Sequence, residues 1–142
     1  MKISEIVRHK GDGVITIRPD ASVMDLLALL DEHRIGAVVV SETGDTVDGI
    51  VSERDVVRHL HTRGAPCLDG PVSAIMTTEV HTCSRHDHVN DLESTMTERR
   101  IRHVPVVEEG RLIGIVSIGD VVKHRIVHLQ SERDQLASYI NQ

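Results

Sequence analysis

Apolar residues follow two spacings along this chain. Some segments repeat them every three or four positions, as a helix does, and others place β-branched residues in short unbroken runs. The first helical stripe comprises Val23, Leu26, Leu27 and Leu30. Ser22 precedes it and Asp25 follows Ser22 by three positions, so we expect a capping box at its start. The runs at 37–40 and 47–51, separated by a turn at Gly44, predict two strands.

A second stretch repeats this order. We expect an extended segment at 80–83, matching one at 14–17, and then a helix that starts at Asp87 or His88. Two β-branched runs follow, with Gly110 in the turn between them. In each copy a further helix follows the second run, and we expect it to start at Asp55 and at Asp120. The copies align at spacings of 66 and 65, and their upstream segments align at 69, with the differences falling in turns.

Each copy therefore reads β-α-β-β-α, an α/β (α+β) pattern. We predict two such motifs packed with pseudo-two-fold symmetry, because one copy alone has too little core. The predicted divisions are a first motif at 1–63, a linker at 64–72, a second motif at 73–128 and a helical tail at 129–142.

Composition narrows the function classes. The chain has 142 residues, a net charge of -6, no Phe or Trp and one Tyr, so we expect no nucleic-acid binding. Cys67 and Cys83 form no CxxC motif and read as free thiols of a reducing compartment. We expect a cytoplasmic protein without a membrane segment, since the start has no long apolar region and the longest apolar runs are short.

The most informative repeat is "GIVSERDVV", which starts at Gly49 and recurs as "GIVSIGDVV" from Gly114. Each places a serine and an aspartate where a strand gives way to a helix. A helix N-terminus favours phosphate, and an aspartate can accept two ribose hydroxyl groups, so the pair suggests a nucleoside phosphate. The alternative is that serine and aspartate only cap the helix. A third "SERD", at 131–134, has no such context and reads as a solvated helical face.

These doubled motifs resemble the signature of CBS domains, and the segment "RHVPVV" at 102–107 is also similar to that family. Copy one departs from it, with Gly36-Ala37-Val38-Val39 lacking the proline. The resemblance covers residues 1 to about 128. It implies a tandem pair, or Bateman module, that binds AMP, ADP, ATP, NAD or S-adenosylmethionine between its copies. It also implies a homodimer that regulates an effector protein without catalysis and without a catalytic cofactor.

By matching position, the resemblance implies a role for particular residues. Asp55 and Asp120 would hold ribose, and Ser52 and Ser117 would face phosphate. The remaining implied ligand-binding residues are Thr16, Ala37, Arg54, Thr82, His103, Val104, Pro105 and Ile118, with the base pocket lined by both threonines, Ala37, Val104 and Pro105. Phosphate charge in copy two would come from His103 with Arg100 and Arg102, where copy one differs, so we expect the two sites to be inequivalent.

Two further features leave alternatives open. The chain has ten histidines, and His86 and His88 share a turn, but no cluster of ligands with zinc spacing accompanies them. The histidines are therefore either solvated surface residues or the ligands of a small metal-binding protein. No nucleophile elbow, phosphate loop or glycine-rich dinucleotide loop is present, so we expect no enzyme.

In the tail, apolar residues follow a heptad spacing that Arg133 interrupts: Val122, Ile126, Leu129, Leu136 and Ile140. Such a helix either packs back on its own domain or contacts a second copy. A protein-interaction scaffold that needs no ligand remains an alternative to the nucleotide sensor.

Overall fold

The computed structural model describes residues 1–11 and 13–141. Asp12, in the predicted loop, and Gln142, at the end of the predicted tail, lie outside the described residues. The elements in order are α1 (Ile3–Lys10), β1 (Thr16–Ile17), α2 (Val23–His33), β2 (Ala37–Val40), β3 (Gly49–Ser52), α3 (Glu53–Arg63), 3-10 turns at Ala65–Asp69 and Val72–Ala74, α4 (Val89–Arg99), β4 (His103–Glu108), β5 (Arg111–Ser117) and α5 (Ile118–Ile140).

The predicted fold class and order of elements are confirmed, with differences at particular points. In the first half, β1 pairs parallel with β2, which pairs antiparallel with β3. In the second half β4 and β5 form an antiparallel hairpin. The extended segment predicted at 80–83 is not a strand. Only Cys83 bonds to β4, through its N–H to the Pro105 carbonyl at 3.0 Å and its carbonyl to the Val107 N–H at 2.9 Å.

Three helices start with the same device. In α2, α3 and α5 a serine is the N-cap and an aspartate three residues later completes a capping box. The predicted box at Ser22 is confirmed. Helices α3 and α5 begin at Glu53 and Ile118, two residues earlier than expected, because the serine rather than the aspartate is the cap. The aspartate is the third helical residue, where its charge favours the positive end of the helix.

The hydrophobic core has two clusters, one under each half. The first is formed by Ile17, Val23, Leu26, Leu30, Val38, Val40, Val51, Val56, Val72 and Ile75. The second is formed by Ile3, Ile6, Val89, Leu92, Met96, Val104, Val106, Val116 and Val121. Each cluster therefore contains two residues from the segment that precedes the other half in sequence.

These exchanged segments are held by matching hydrogen bonds. The Val72 N–H donates to the Ala21 carbonyl at 2.8 Å, and the Ile3 N–H donates to the Asp87 carbonyl at 2.9 Å. Helix α1, which the apolar pattern did not predict, lies on the second half, with Ile3 0% exposed. The packing follows the pseudo-two-fold relation of the two copies, because the bonded pairs occupy equivalent positions in the repeat.

Helix α5 is continuous over 23 residues and leaves the body of the protein along its length. Val121 is 1% exposed, but every residue from Arg125 to Asn141 is exposed. The alternative in which the tail packs back on its own domain is therefore wrong. The tail helix carries its apolar positions into solvent, which matters for the partner considered below.

Candidate binding cleft

A cleft of about 730 Å³ lies between the two halves. One wall is the start of α3 with the neighbouring ends of β2 and β3. The opposite wall is the segment 77–81 and the turn from α4 into β4, at 99–103. Both copies therefore contribute side chains to a single cavity. A second, more open concavity runs along α5 alone and is walled by one helix, so it offers little enclosure.

The glycine of the first repeated motif has a packing role. A Cβ at Gly49 would lie 2.7 Å from the Met76 sulfur and 3.0 Å from the Thr77 carbonyl oxygen. The neighbouring Ile50 exchanges two hydrogen bonds of 2.9 Å with Thr77. Gly114, the equivalent glycine, faces Val7 of α1, with a nearest approach of 3.3 Å. Each glycine thus admits the segment that crosses from the other half, and at Gly49 that segment is a wall of the cleft.

Ser52 and Asp55 are held together at the cleft by three short contacts. The Ser52 N–H and hydroxyl donate to Asp55 Oδ2 at 2.8 and 3.0 Å, and the Asp55 N–H donates to Ser52 Oγ at 3.3 Å. The Glu53 N–H donates to the Gly36 carbonyl at 3.0 Å. Within the described residues this leaves the Arg54 N–H as the one amide of the first helical turn available to an anion.

The positive charge of the cleft comes from side chains. Five arginines line it, and none of them makes an ion pair with any described residue: Arg54, Arg58, Arg99, Arg100 and Arg102. The carboxylates on its walls are Glu53, Asp55 and Glu79. Five cations against three anions make the cleft basic in a chain whose net charge is -6.

His103 is the first residue of β4 and lies on the cleft wall. Its pKa is lowered, first by burial and then by the charge of Lys10; Arg102 also lowers it, while Asp120 and Glu53 raise it without reversing the shift. The imidazole is therefore neutral at pH 7. It can donate one hydrogen bond and accept another, and an arriving anion would favour its protonated form.

The equivalent site in the second half has a different set of side chains around its aspartate. The Ser117 N–H donates to Asp120 Oδ2 at 2.9 Å, and Lys10 Nζ lies 2.8 Å from the same oxygen and 2.8 Å from the Ile115 carbonyl oxygen. Burial alone would raise the pKa of Asp120. The Lys10 and Ser117 hydrogen bonds outweigh it, so the pKa is lowered. At the spacing of 69, the counterpart of Lys10 is Glu79, so the two sites differ in charge.

The structure places the residues singled out in the sequence as follows. The cleft wall contains Ala37, Ser52, Arg54, Asp55 and His103. Ser117, Ile118 and Asp120 lie together at the start of α5, and Thr16 lies in β1 while Thr82 is exposed in the connection to β4. Val104 and Pro105 are buried in β4, with the Val104 side chain in the second core.

Other cleft residues were missed by sequence reasoning, namely Arg58, Thr77, Glu79, His81 and Arg99. Arg58 lies one turn after Arg54 on α3, so helical spacing could have found it. The segment at 77–81 belongs to the second copy in sequence but walls the motif of the first. Only the exchange of upstream segments explains that position.

Two further features are absent from residues 1–11 and 13–141. No group of three or more histidine, cysteine or acidic side chains is arranged to hold a metal ion. No helix in that part of the chain is long and apolar enough to cross a bilayer.

Comparison with known proteins identifies the architecture. The model of the CBS domain family matches residues 3–62 and 72–126, so the chain belongs to that family as a tandem pair of CBS domains. Its sequence is 34% identical to a mitochondrial CBS domain-containing protein of Arabidopsis thaliana over 97% of this chain and 71% of the relative.

Two solved structures are also similar. A CBS-domain containing protein of Agrobacterium tumefaciens has 43% identity and a TM-score of 0.84, over 88% of this chain and 99% of its own. A CBS domain protein of Pyrobaculum aerophilum, solved in complex with AMP, has 28% identity and a TM-score of 0.77, over 92% of this chain and 97% of its own.

Proposed function

We propose that this protein is a non-catalytic regulatory module that senses an adenine nucleotide, AMP, ADP, ATP or NAD, in the cleft beside Asp55. The observation that carries the proposal is the pairing, in one cavity, of an acidic diol acceptor with five arginines free of ion pairs within the described residues. The relative from Pyrobaculum aerophilum, whose structure contains AMP, supports the ligand class.

The chemistry of each wall assigns one part of the ligand. The Asp55 carboxylate accepts from Ser52 through one oxygen, Oδ2, so its other oxygen is available to ribose hydroxyl groups. Arginine forks bind phosphate through paired hydrogen bonds. Ala37 and Ile50 offer apolar surface to a base. Because the cleft has an excess of positive charge, it favours anionic nucleotides over S-adenosylmethionine, which carries a sulfonium cation.

Calorimetric titration tests the ligand. We expect AMP, ADP, ATP or NAD to bind and to raise the melting temperature, because ligand that binds only the folded state stabilises it by mass action. S-adenosylmethionine and adenosine should bind more weakly. If no adenine nucleotide binds or shifts the melting temperature at millimolar concentration, the sensor proposal is wrong.

Asp55→Asn separates ligand binding from helix capping, and Asp25→Asn is the matched control. Both aspartates occupy the third helical position of a capping box, but Asp25 is outside the cleft. Each variant should lose about 0.3–1 kcal/mol of stability through the helix dipole. Only Asp55→Asn should also weaken nucleotide binding, by roughly ten- to a hundredfold, because charged hydrogen bonds contribute about 1.5–3 kcal/mol. Equal affinities in the two variants would contradict the ribose role.

The ligand-independent scaffold is the second candidate, and one observation favours it: Ser52 and Ser117 form the same kind of two-way capping box as Ser22, which lies outside the cleft. Under that alternative, no adenine nucleotide binds, and Asp55→Asn and Asp25→Asn behave alike. The titrations above therefore decide between the two.

We further propose that the protein acts in the cytoplasm as a homodimer on an effector protein. Two half-buried cysteines, both free thiols, support a reducing compartment. The exposed apolar positions of α5 support self-association. Light scattering at micromolar concentration should report a dimer, and a monomer would contradict this part of the proposal.

A further inference from the structure

We propose that the homodimer forms by antiparallel pairing of the α5 helices of two copies. The proposal rests on the self-association proposed above and names the surface and its geometry. The surface, called the α5 seam, consists of Val122, Ile126, Leu129, Arg133, Leu136 and Ile140. Its apolar members are 49–78% exposed, although valine, isoleucine and leucine are usually buried in folded proteins.

Helix α5 needs a partner to explain its length. Contacts with the body end early: His124 lies 3.5 Å from Glu5 of α1, and Arg125 pairs with Glu93 of α4. From Ile126 to the end of α5, the described ion pairs are internal to the helix, as between His128 and Glu132 at 3.3 Å. A helical segment of about 15 residues without tertiary packing is marginal in water, and a second apolar face would stabilise it.

The seam has the spacing of a two-stranded coiled coil, since its steps alternate between three and four residues. Its positions are symmetric about Ser131. In an antiparallel pair centred there, Val122 faces Ile140, Ile126 faces Leu136, and Leu129 faces Arg133 of the other copy. The Val122–Ile140 and Ile126–Leu136 layers are then apolar on both sides, and each of them forms twice, once at either end of the pair.

Arg133 selects this orientation over the parallel one. In a parallel pair in register, the two Arg133 guanidinium groups would meet in the same layer and repel each other. In the antiparallel pair each Arg133 lies beside a leucine, and Glu132 of the other copy is about three residues, or roughly 4.5 Å, away along the axis. The arginine can then extend past the leucine to that carboxylate.

The first experiment uses light scattering with a matched pair of variants. Leu129 and Val127 are 54% and 52% exposed on the same helix, but only Leu129 belongs to the seam. Leu129→Glu should convert the dimer to a monomer, whereas Val127→Glu should leave it dimeric. A wild-type monomer would overturn both the proposed self-association and this inference. A dimer that survives Leu129→Glu would leave self-association intact and overturn pairing through the seam.

The second experiment measures orientation. Nitroxide labels are placed at Ser131→Cys or Ser138→Cys in a Cys67→Ser background. The Cys67→Ser variant without an introduced cysteine serves as the labelling control. Both serines occupy the outward position of their heptads, so they differ only along the axis. Antiparallel pairing keeps the Ser131 labels level and displaces the Ser138 labels by about 21 Å along the axis, giving a longer distance. Equal distances at the two positions would indicate parallel pairing and overturn the proposal.

Discussion

Replacing Gly49 by alanine tests whether the crossing segment shapes the cleft. The new Cβ would lie 2.7 Å from the Met76 sulfur, which can move, and 3.0 Å from the Thr77 carbonyl oxygen, which is backbone. Thr77 is fixed by two hydrogen bonds of 2.9 Å to Ile50, so relief of the contact strains that pairing. We expect overpacking to cost about 1–3 kcal/mol.

Gly114→Ala is the control, because it makes the same substitution at the equivalent strand position. Its Cβ would approach Val7 at 3.3 Å, a contact that a shift of a few tenths of an ångström relieves. Both variants share the gain from removing a glycine from a strand, about 0.5–1 kcal/mol, so their difference isolates the steric effect. Gly114→Ala should be near neutral, and Gly49→Ala should melt roughly 3–9 °C below Gly114→Ala.

Chemical denaturation and calorimetry provide the measurements. The Gly49→Ala penalty should shrink in a Met76→Ala background, because part of the clash is with the Met76 sulfur, and a double-mutant cycle reports that coupling. Nucleotide affinity should fall in Gly49→Ala, since Thr77 lines the cleft. Equal stability of the Gly49→Ala and Gly114→Ala variants would refute the packing argument.

Three other outcomes follow from the ionisable groups. The pKa of Cys83 is raised to about 12, first by burial and then by Asp87, so iodoacetamide at pH 8 should leave it unmodified and Cys67→Ser should show no adduct by intact mass. The pKa of His103 is lowered by burial, Lys10 and Arg102, so its contribution to stability is full above about pH 6.5 and is lost as pH falls through the folded pKa. NMR titration should find a pKa below 6.5 that rises when ATP binds. A pKa that ATP leaves unchanged would place the phosphates elsewhere. The lowered pKa of Asp120 gives a contribution to folding stability that is present above about pH 3.9 and is lost as pH falls through the folded pKa. Lys10→Ala should shift that loss to higher pH and should cost less than about 1 kcal/mol of stability, because both groups are partly exposed. An identical acid transition in the variant and the wild type would contradict the Lys10 contact.

Sequence reasoning predicted the elements where local signals agree. The helical stripe after Ser22 and the β-branched runs before Ser52 combine apolar spacing with a recognisable cap, and both form as expected. Helix α1 was missed because its apolar residues are few and its partners lie more than 80 residues away in sequence. Long-range packing of this kind leaves no local pattern.

The candidate site was predicted in part for the same reason. Asp55 and Ser52 belong to a repeated motif and could be chosen from the sequence alone. Glu79 and His81 wall the same cleft only because the segment before the second half crosses to the first. The ion pair of Lys10 with Asp120 likewise joins residues 110 positions apart.

The exchange of upstream segments has a consequence for how the protein can change shape. Each core is closed by two side chains from the segment that precedes the other half, at Ile3 and Ile6 on one side and Val72 and Ile75 on the other. Separation of either half from these segments would expose core side chains, so we expect the two halves to be coupled in any change of shape. Thr77, on the cleft wall, is two residues from Ile75 in the first core. A displacement of Thr77 would therefore be transmitted through a short length of backbone to the packing of the first core.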